Sequence, residues 1–212
     1  MKKATLIFAA LAIMFMANMN TKAQCPENYF FSTRTVLIDG CWYMYSFCLG
    51  INQWGLHEVK LTDIQILAPC TGDNFEANSQ YITDEILKDL ADSGWLYYLW
   101  GYEIPECPGQ LCLVRWYDAI CYNGWYYEGP PDPPDSPVDL AKYNFLENLE
   151  TVGVWKMNKC IDSLSRSCGE TIRICWELRN GVRTLVLTRT GSAYGPPCPT
   201  DSLGAPCHTN CD

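Results

Sequence analysis

Thirteen cysteines restrict this chain of 212 residues more than any other feature of its sequence. They follow an amino-terminal segment, residues 1–23, with the three parts of a cleavable secretory signal: Lys2 and Lys3, an apolar stretch from Ala4 to Ala17, and a small residue, Ala23, before the expected cut. A cysteine-rich chain behind such a leader is expected to reach an oxidising compartment and to form disulfides there. The leader is too short to span a bilayer, and we expect no transmembrane span after cleavage.

The charge of the chain limits the kinds of partner that it can bind. The formal net charge is −9, and loss of Lys2, Lys3 and Lys22 with the leader brings it to −12. Such a charge repels phosphate backbones, so we expect no nucleic acid as a partner.

An odd number of cysteines leaves one thiol outside intramolecular pairs. Cys25 stands directly behind the leader, and setting it aside leaves six cysteines up to Cys121 and six from Cys160 onward. This split predicts that each half closes its own bridges, while Cys25 carries a lipid, bridges a partner or stays free. The disulfide candidates are Cys41, Cys48, Cys70, Cys107, Cys112, Cys121, Cys160, Cys168, Cys175, Cys198, Cys207 and Cys211.

Cysteine spacing limits the pairing. Cys41 and Cys48 are seven residues apart, as are Cys168 and Cys175. On a straight strand this spacing corresponds to about 23 Å, on opposite faces, which is far beyond the reach of a disulfide. These cysteines must therefore pair elsewhere. Cys107 and Cys112 enclose a turn, and a bridge between them is one option.

A proline-rich run at residues 129–137 divides the chain. Five prolines in nine residues favour an extended spacer. It separates a β-rich region with many cysteines and aromatics, residues 24–128, from a second β-rich region, residues 138–212, that ends in a cysteine-clamped tail. The sequence leaves open whether the run joins two domains or crosses one face of a single domain.

Two β-hairpins are predicted around Asp39-Gly40 and Asn180-Gly181, because these dipeptides favour the tight turn that joins β-prone runs. In the second hairpin the expected register sets Trp176 opposite Leu185 on the core face. Cys175 then falls on the wetter face, where a bridge would tie down a covering loop. The first hairpin has two apolar faces, which fits a doubly covered strand pair or an interface.

The remaining elements are weaker predictions. Residues 57–68 read as a strand with a bulge near Thr62 and Asp63, and residues 111–120 read as another strand. Short helices are expected from Thr83 to Gly94 and from Ser136 to about Leu146. The sequence thus predicts a mainly β fold of disulfide-stapled antiparallel hairpins, sandwich-like, with one or two short helices.

No catalytic constellation stands out. Both histidines, His57 and His208, are expected at the surface, and the acidic residues near aromatics arise readily by chance among 24 acids. The tail with Cys198, Cys207, His208 and Cys211 lacks the spacing of common zinc modules. We therefore expect no catalytic residue, no metal and no cofactor, and an enzyme is the less favoured class.

Aromatic density exceeds background between Trp95 and Tyr127. Most of these rings are expected in the core, but consecutive rings at residues 125–127 cannot all point inward. The hypothetical ligand-binding residues are Trp125, Tyr126, Tyr127, Trp100 and Tyr102.

Three short motifs resemble uncharacterised Cys- and Trp-rich exported proteins of Bacteroidota-like bacteria. They are Thr-Lys-Ala-Gln at residues 21–24, Gly40-Cys41-Trp42-Tyr43, and Cys175-Trp176. The resemblance implies export across the inner membrane and supplies no activity or site residue.

We therefore expect an exported, disulfide-stabilised binding or structural protein of the periplasm, cell surface or extracellular space. Its candidate partners are a glycan, an envelope protein or a second copy of the chain, contacted through exposed aromatics. The alternatives are a small secreted hydrolase that uses paired carboxylates and a subunit of an extracellular fibre.

Overall fold

The computed structural model describes residues 25–101, 103–118, 121–129, 153–159, 167–193 and 208–209. The strands are β1 (Phe30–Ile38), β2 (Cys41–Ile51), β3 (His57–Leu67), β4 (Leu111–Asp118), β5 (Cys121–Glu128), β6 (Val154–Lys159), β7 (Ser167–Arg179), β8 (Val182–Ala193) and β9 (His208–Thr209); the helices are α1 (Gly72–Asp92) and α2 (Trp95–Trp100). All nine described strands belong to one sheet. The mainly β fold with disulfides and helices is as predicted; the predicted leader and the second predicted helix lie outside the described residues.

Both predicted hairpins are present. Each turn dipeptide has positive φ at its two positions, at Asp39 and Gly40 and at Asn180 and Gly181, as the tight hairpin turn requires. In β7 and β8 the register sets Trp176 opposite Leu185, which confirms the predicted pairing.

Strand β3 is the centre of the sheet and accounts for its mixed character. The register with β2 shifts so that Ser46 pairs with Asp63 and Phe47 with Leu61, which places Thr62 in a bulge at the predicted position. The first part of β3 pairs in parallel with β4, whereas Gln65 to Leu67 pairs antiparallel with β6. One parallel pair thus interrupts the otherwise antiparallel order.

The two helices cover one face of the sheet. Their buried residues join β2, β3 and β7 in one core, in which Phe47 contacts Trp95 at 6.2 Å between ring centroids. Helix α1 begins earlier than predicted, at Gly72, and two helical pieces meet at the non-helical Asn78. Gly94, expected to end the helix, has φ +77 and does so.

A buried arginine joins this helix layer to the sheet. Arg115 of β4 is fully buried, and its guanidinium donates to the Thr83 carbonyl (2.9 Å), to Asp84 (2.9 Å) and to Glu170 of β7. Arg189 of β8 also binds Asp84 and Glu170. The network pairs the buried Arg115 charge with two carboxylates, which is what a buried ion needs to be tolerated.

Three disulfides join described residues: Cys25–Cys48, Cys41–Cys70 and Cys107–Cys175. Cys41, Cys48 and Cys175 pair elsewhere than within their own strands, as predicted, and Cys175 ties down a loop. Disulfides of this kind indicate an oxidising compartment. None of the described helices is long and apolar enough to cross a membrane.

Two predictions about the cysteines, on Cys25 and on separate closure of the two halves, are wrong, and the optional Cys107–Cys112 bridge does not form. Cys25 is not the odd thiol, because its segment lies against β2 and bridges Cys48; a thiol in a disulfide carries no lipid. Cys107 does not close on Cys112, because its loop runs along β7, where the Cys107 amide donates to the Trp176 carbonyl (2.8 Å). The resulting bridge crosses the proline-rich run, so the halves do not close separately.

Cys112 carries the free thiol among the cysteines whose side chains are described. The other predicted disulfide candidates, Cys121, Cys160, Cys168, Cys198, Cys207 and Cys211, have side chains outside the described part of the chain.

Candidate functional site

One candidate site is a groove of about 580 Å³ at one end of β2 and β3. We call it the Glu58 groove. Its lining residues are Pro26, Glu27, Asn28, Tyr29, Ile51, Asn52, Gln53, Trp54, Glu58 and Lys60. They come from four places: the turn before β1, the end of β2, the loop between β2 and β3, and the start of β3.

The loop at residues 52–56 forms one wall and is closed by its own hydrogen bonds. The Asn52 amide donates to the Leu56 carbonyl (2.9 Å), and the Gly55 amide donates to the Asn52 carbonyl (2.9 Å). The Asn52 side-chain oxygen accepts from the amides of Trp54 and Leu56, both at 3.0 Å. Asparagine suits this position because its short amide mimics a backbone group in turns. The Trp54 side chain stands 74% exposed on this ordered loop.

The turn at residues 26–29 forms the opposite wall. The Cys25–Cys48 disulfide fastens its start to β2, and the Tyr29 amide donates to the Pro26 carbonyl (3.1 Å). The Tyr29 ring lies directly on Gly50, where an added Cβ would be 2.6 Å from the ring. The absence of a side chain at Gly50 therefore creates the seat for Tyr29.

Glu58 forms the floor, and the strand register explains its place there. It pairs directly with Gly50 across β2 and β3, so the Tyr29 ring above Gly50 reaches it. The Tyr29 hydroxyl donates to Glu58 Oε2 (2.5 Å), and Asn52 Nδ2 donates to Glu58 Oε1 (2.6 Å). Glu58 is only 8% exposed, so these donors compensate its burial.

The electrostatics of the floor fix the direction of its hydrogen bonds. The pKa of Tyr29 is raised well above its usual value; burial is the largest cause, and the hydrogen bond to Glu58 is the next largest. Tyr29 therefore stays protonated and donates at any physiological pH. Lys60, two residues along β3, lines the same groove, together with a second acid, Glu27.

This arrangement suits recognition. Each carboxylate oxygen has two lone-pair directions, and each oxygen of Glu58 accepts one hydrogen bond from the chain itself. Each Glu58 oxygen can therefore accept a further hydrogen bond from a ligand in the groove. Trp54 adds a large ring face beside this polar floor.

A smaller cavity of about 280 Å³ lies between α2 and the β7–β8 hairpin. The Arg183 guanidinium stacks over the Trp176 ring at 4.7 Å and binds Glu106 at 2.8 Å. Burial, followed by the charge of Asp89, raises the pKa of Asp92 at its edge. Because Arg183 already has these partners and the cavity has half the volume, the Glu58 groove is the better candidate.

Of the five sequence-predicted aromatic residues, the four that the structure describes do not form one surface. Trp100 is 6% exposed and packs on His57 at 4.6 Å between ring centroids. Trp125 packs on Phe75 at 5.6 Å, and its indole donates to Glu76 (3.1 Å).

The other three of these residues lie elsewhere. Tyr127 contacts Trp155 at 5.5 Å, and Tyr126 between the two inward rings is 47% exposed. Tyr102 lies outside the described residues. Ligand binding by these residues stays a prediction.

His57 is not at the surface, contrary to expectation. It lies on the core face of β3, only 6% exposed, and burial lowers its pKa. The reason is the alternation of the strand: Glu58 faces the groove, so His57 faces the helices. His208 has only its backbone among the described residues.

Sequence reasoning missed Trp54, Tyr29 and Asn52. The available signal was Asn52-Gln53-Trp54-Gly55, a turn-like composition with a tryptophan at its tip. Within the described residues, no group of three or more His, Cys, Asp or Glu side chains is placed to hold a metal ion.

Comparison with known proteins gives no relative: no family model, no curated protein and no solved structure matches the chain.

Proposed function

We propose that the chain is an exported, disulfide-stabilised binding protein of the cell surface or extracellular space, and that the Glu58 groove is its contact surface. The observation that carries this proposal is Trp54, held 74% exposed by a hydrogen-bonded loop beside a buried carboxylate whose two oxygens each accept a hydrogen bond from the chain. Tryptophan is enriched among residues that dominate binding energy.

The order of the groove supports the same function. Both walls are fixed before any ligand arrives, one by the Cys25–Cys48 disulfide and the other by the hydrogen bonds of Asn52. A preformed site loses little conformational entropy on binding. The groove volume also falls within the range of about 300–1,000 Å³ that is typical of ligand pockets.

The test is co-sedimentation of the exported protein with envelopes of the cells that naturally make it. Trp54→Ala should lower the affinity for envelopes at least about tenfold, the usual effect of removing a dominant contact. Tyr98→Ala is the matched control, since Tyr98 is 76% exposed on α2 and is not among the residues that line the groove. Equal binding by wild type and Trp54→Ala, or an equal loss in Tyr98→Ala, would contradict the proposal.

A hydrolase is the second candidate, because Glu27 and Glu58 line the same groove and paired carboxylates are what a glycosidase needs. A hydrolase would release reducing sugars from envelope glycans, and Glu27→Gln would stop the release. Binding without any release by the wild-type protein would eliminate this candidate.

A further inference from the structure

We infer that the ligand of the Glu58 groove is an uncharged carbohydrate chain, one sugar ring of which stacks on Trp54. This inference rests on the proposed function and adds the chemical class of the ligand. Three properties of the groove lead to it: its ring face, its hydrogen-bonding groups and its charge.

The ring face of Trp54 suits the flat side of a sugar. A pyranose ring presents C–H groups on its faces and hydroxyls around its rim. Trp54 offers a broad apolar face with a negative quadrupole, to which C–H groups are attracted. Because the loop fixes Trp54 at the tip of a closed turn, the ring stands ready for stacking. Ile51, 51% exposed at the end of β2, extends the apolar contact.

The polar groups of the groove suit the hydroxyls at the rim of the sugar. Glu58 only accepts hydrogen bonds, whereas the amides of Asn28 and Gln53 both donate and accept. A hydroxyl also does both, so it can bond to either kind of group. A purely apolar ligand would cover Glu58 without offering it a donor, at the cost of desolvating a charged group.

The charge of the groove disfavours anionic ligands. Two carboxylates, Glu27 and Glu58, face one ammonium, Lys60, on a chain whose net charge is −9. Acidic polysaccharides and phosphorylated ligands would therefore meet a repulsive field. The Glu58 carboxylate is itself bonded by Tyr29 and Asn52, which reduces its pull on a cation. A neutral sugar meets none of these penalties.

The experiment is isothermal titration of the exported protein with defined oligomers. Cellotetraose, mannotetraose and chitotetraose are the neutral probes; tetragalacturonate and tetralysine are the anionic and cationic comparisons. We expect at least one neutral sugar to bind with a Kd below about 1 mM. Trp54→Ala should raise that Kd at least about tenfold, Trp54→Phe should retain most of the affinity, and Tyr98→Ala should leave it unchanged.

The inference is overturned if no neutral sugar binds below that limit, if either charged oligomer binds more tightly than every neutral one, or if Trp54→Ala binds as wild type does. The Trp54→Phe variant separates loss of the ring from loss of the fold. Failure of this inference is distinct from failure of the proposed function. If the ligand belongs to another class, envelope binding will still depend on Trp54.

Discussion

Gly50 is the residue on which the groove depends most directly. An alanine Cβ there would be 2.6–2.7 Å from three atoms of the Tyr29 ring, all rigidly part of an aromatic side chain. Tyr29 would have to leave its seat, and Glu58 would lose the Tyr29 hydroxyl as a donor. Gly50 thus determines the position of the Tyr29 ring, and through it the hydrogen bond from Tyr29 to Glu58.

We expect Gly50→Ala to lower the free energy of unfolding by about 1–3 kcal/mol, the usual cost of overpacking, and to weaken envelope binding. Denaturant unfolding measures the first effect and co-sedimentation the second. Gly191→Ala in β8 is the control, because a Cβ there meets nothing within 4 Å. Unchanged stability in Gly50→Ala would show that Tyr29 is not seated as described.

A second prediction at this scale concerns alkaline pH. The pKa of Tyr43 is raised to about 12 from its ordinary value of 10.0; burial is the larger cause, and the charge of Asp39 is the smaller. The folded state therefore resists ionisation of Tyr43, and its contribution to stability is full below pH 10.0 and lost as the pH rises towards 12. The loss is about 1.4 kcal/mol for each pH unit in that window.

Denaturant midpoints measured across this window check the alkaline prediction. Tyr43→Phe should show a shallower fall of stability than wild type, since one titrating group is gone. Identical slopes in the two proteins would contradict the assignment.

At the scale of elements, the segment between α2 and β4 is held to β7 at several points. The Trp176 amide donates to the Pro105 carbonyl (2.9 Å), the Cys107 amide donates to the Trp176 carbonyl (2.8 Å), and Cys107 is bridged to Cys175. This attachment keeps Cys175 only 4% exposed on the face of β7 away from the helices.

We expect the double variant Cys107→Ser/Cys175→Ser to lose about 2–4 kcal/mol of stability, because the bridge closes a long loop of the unfolded chain. Limited proteolysis should then cut first within residues 103–110. Cys112→Ser, which removes the free thiol, should change neither result. Should peptide mapping of the wild type find Cys107 joined to Cys112, the described pairing would be wrong.

Whether the sequence predicts an element depends on how far apart in the chain the residues that form it lie. The turns at Asp39-Gly40 and Asn180-Gly181 are local, and so is the bulge at Thr62; all three were predictable. The parallel pairing of β3 with β4 and the Cys107–Cys175 bridge join residues far apart in the chain, and no local pattern encodes them.

The exposure of the aromatic residues is likewise not predictable from local composition alone. The run from Trp95 to Trp100 stood out by composition, but only the helical period of α2 decides that Trp100 is buried and Tyr98 exposed. Trp54 was missed because it is a single ring outside that run. The role proposed for it depends on Tyr29 and Glu58, which line the same groove.

At the scale of the whole molecule, one sheet combines strands from both sides of the proline-rich run. β4 pairs with β7, and β3 pairs with β6. The Cys107–Cys175 bridge makes the same connection covalently. The groove lies at one end of this sheet, where Cys25–Cys48 fastens the start of the described chain to β2.

The most direct test of the groove as the contact surface is oxidative footprinting by hydroxyl radicals, read by mass spectrometry, of the protein free and bound to envelopes. We predict that binding protects Trp54 from oxidation while Tyr98, equally exposed in the free protein, reacts as before. Unchanged oxidation of Trp54, or protection confined to Tyr126, would contradict the proposal that the Glu58 groove is where this protein binds.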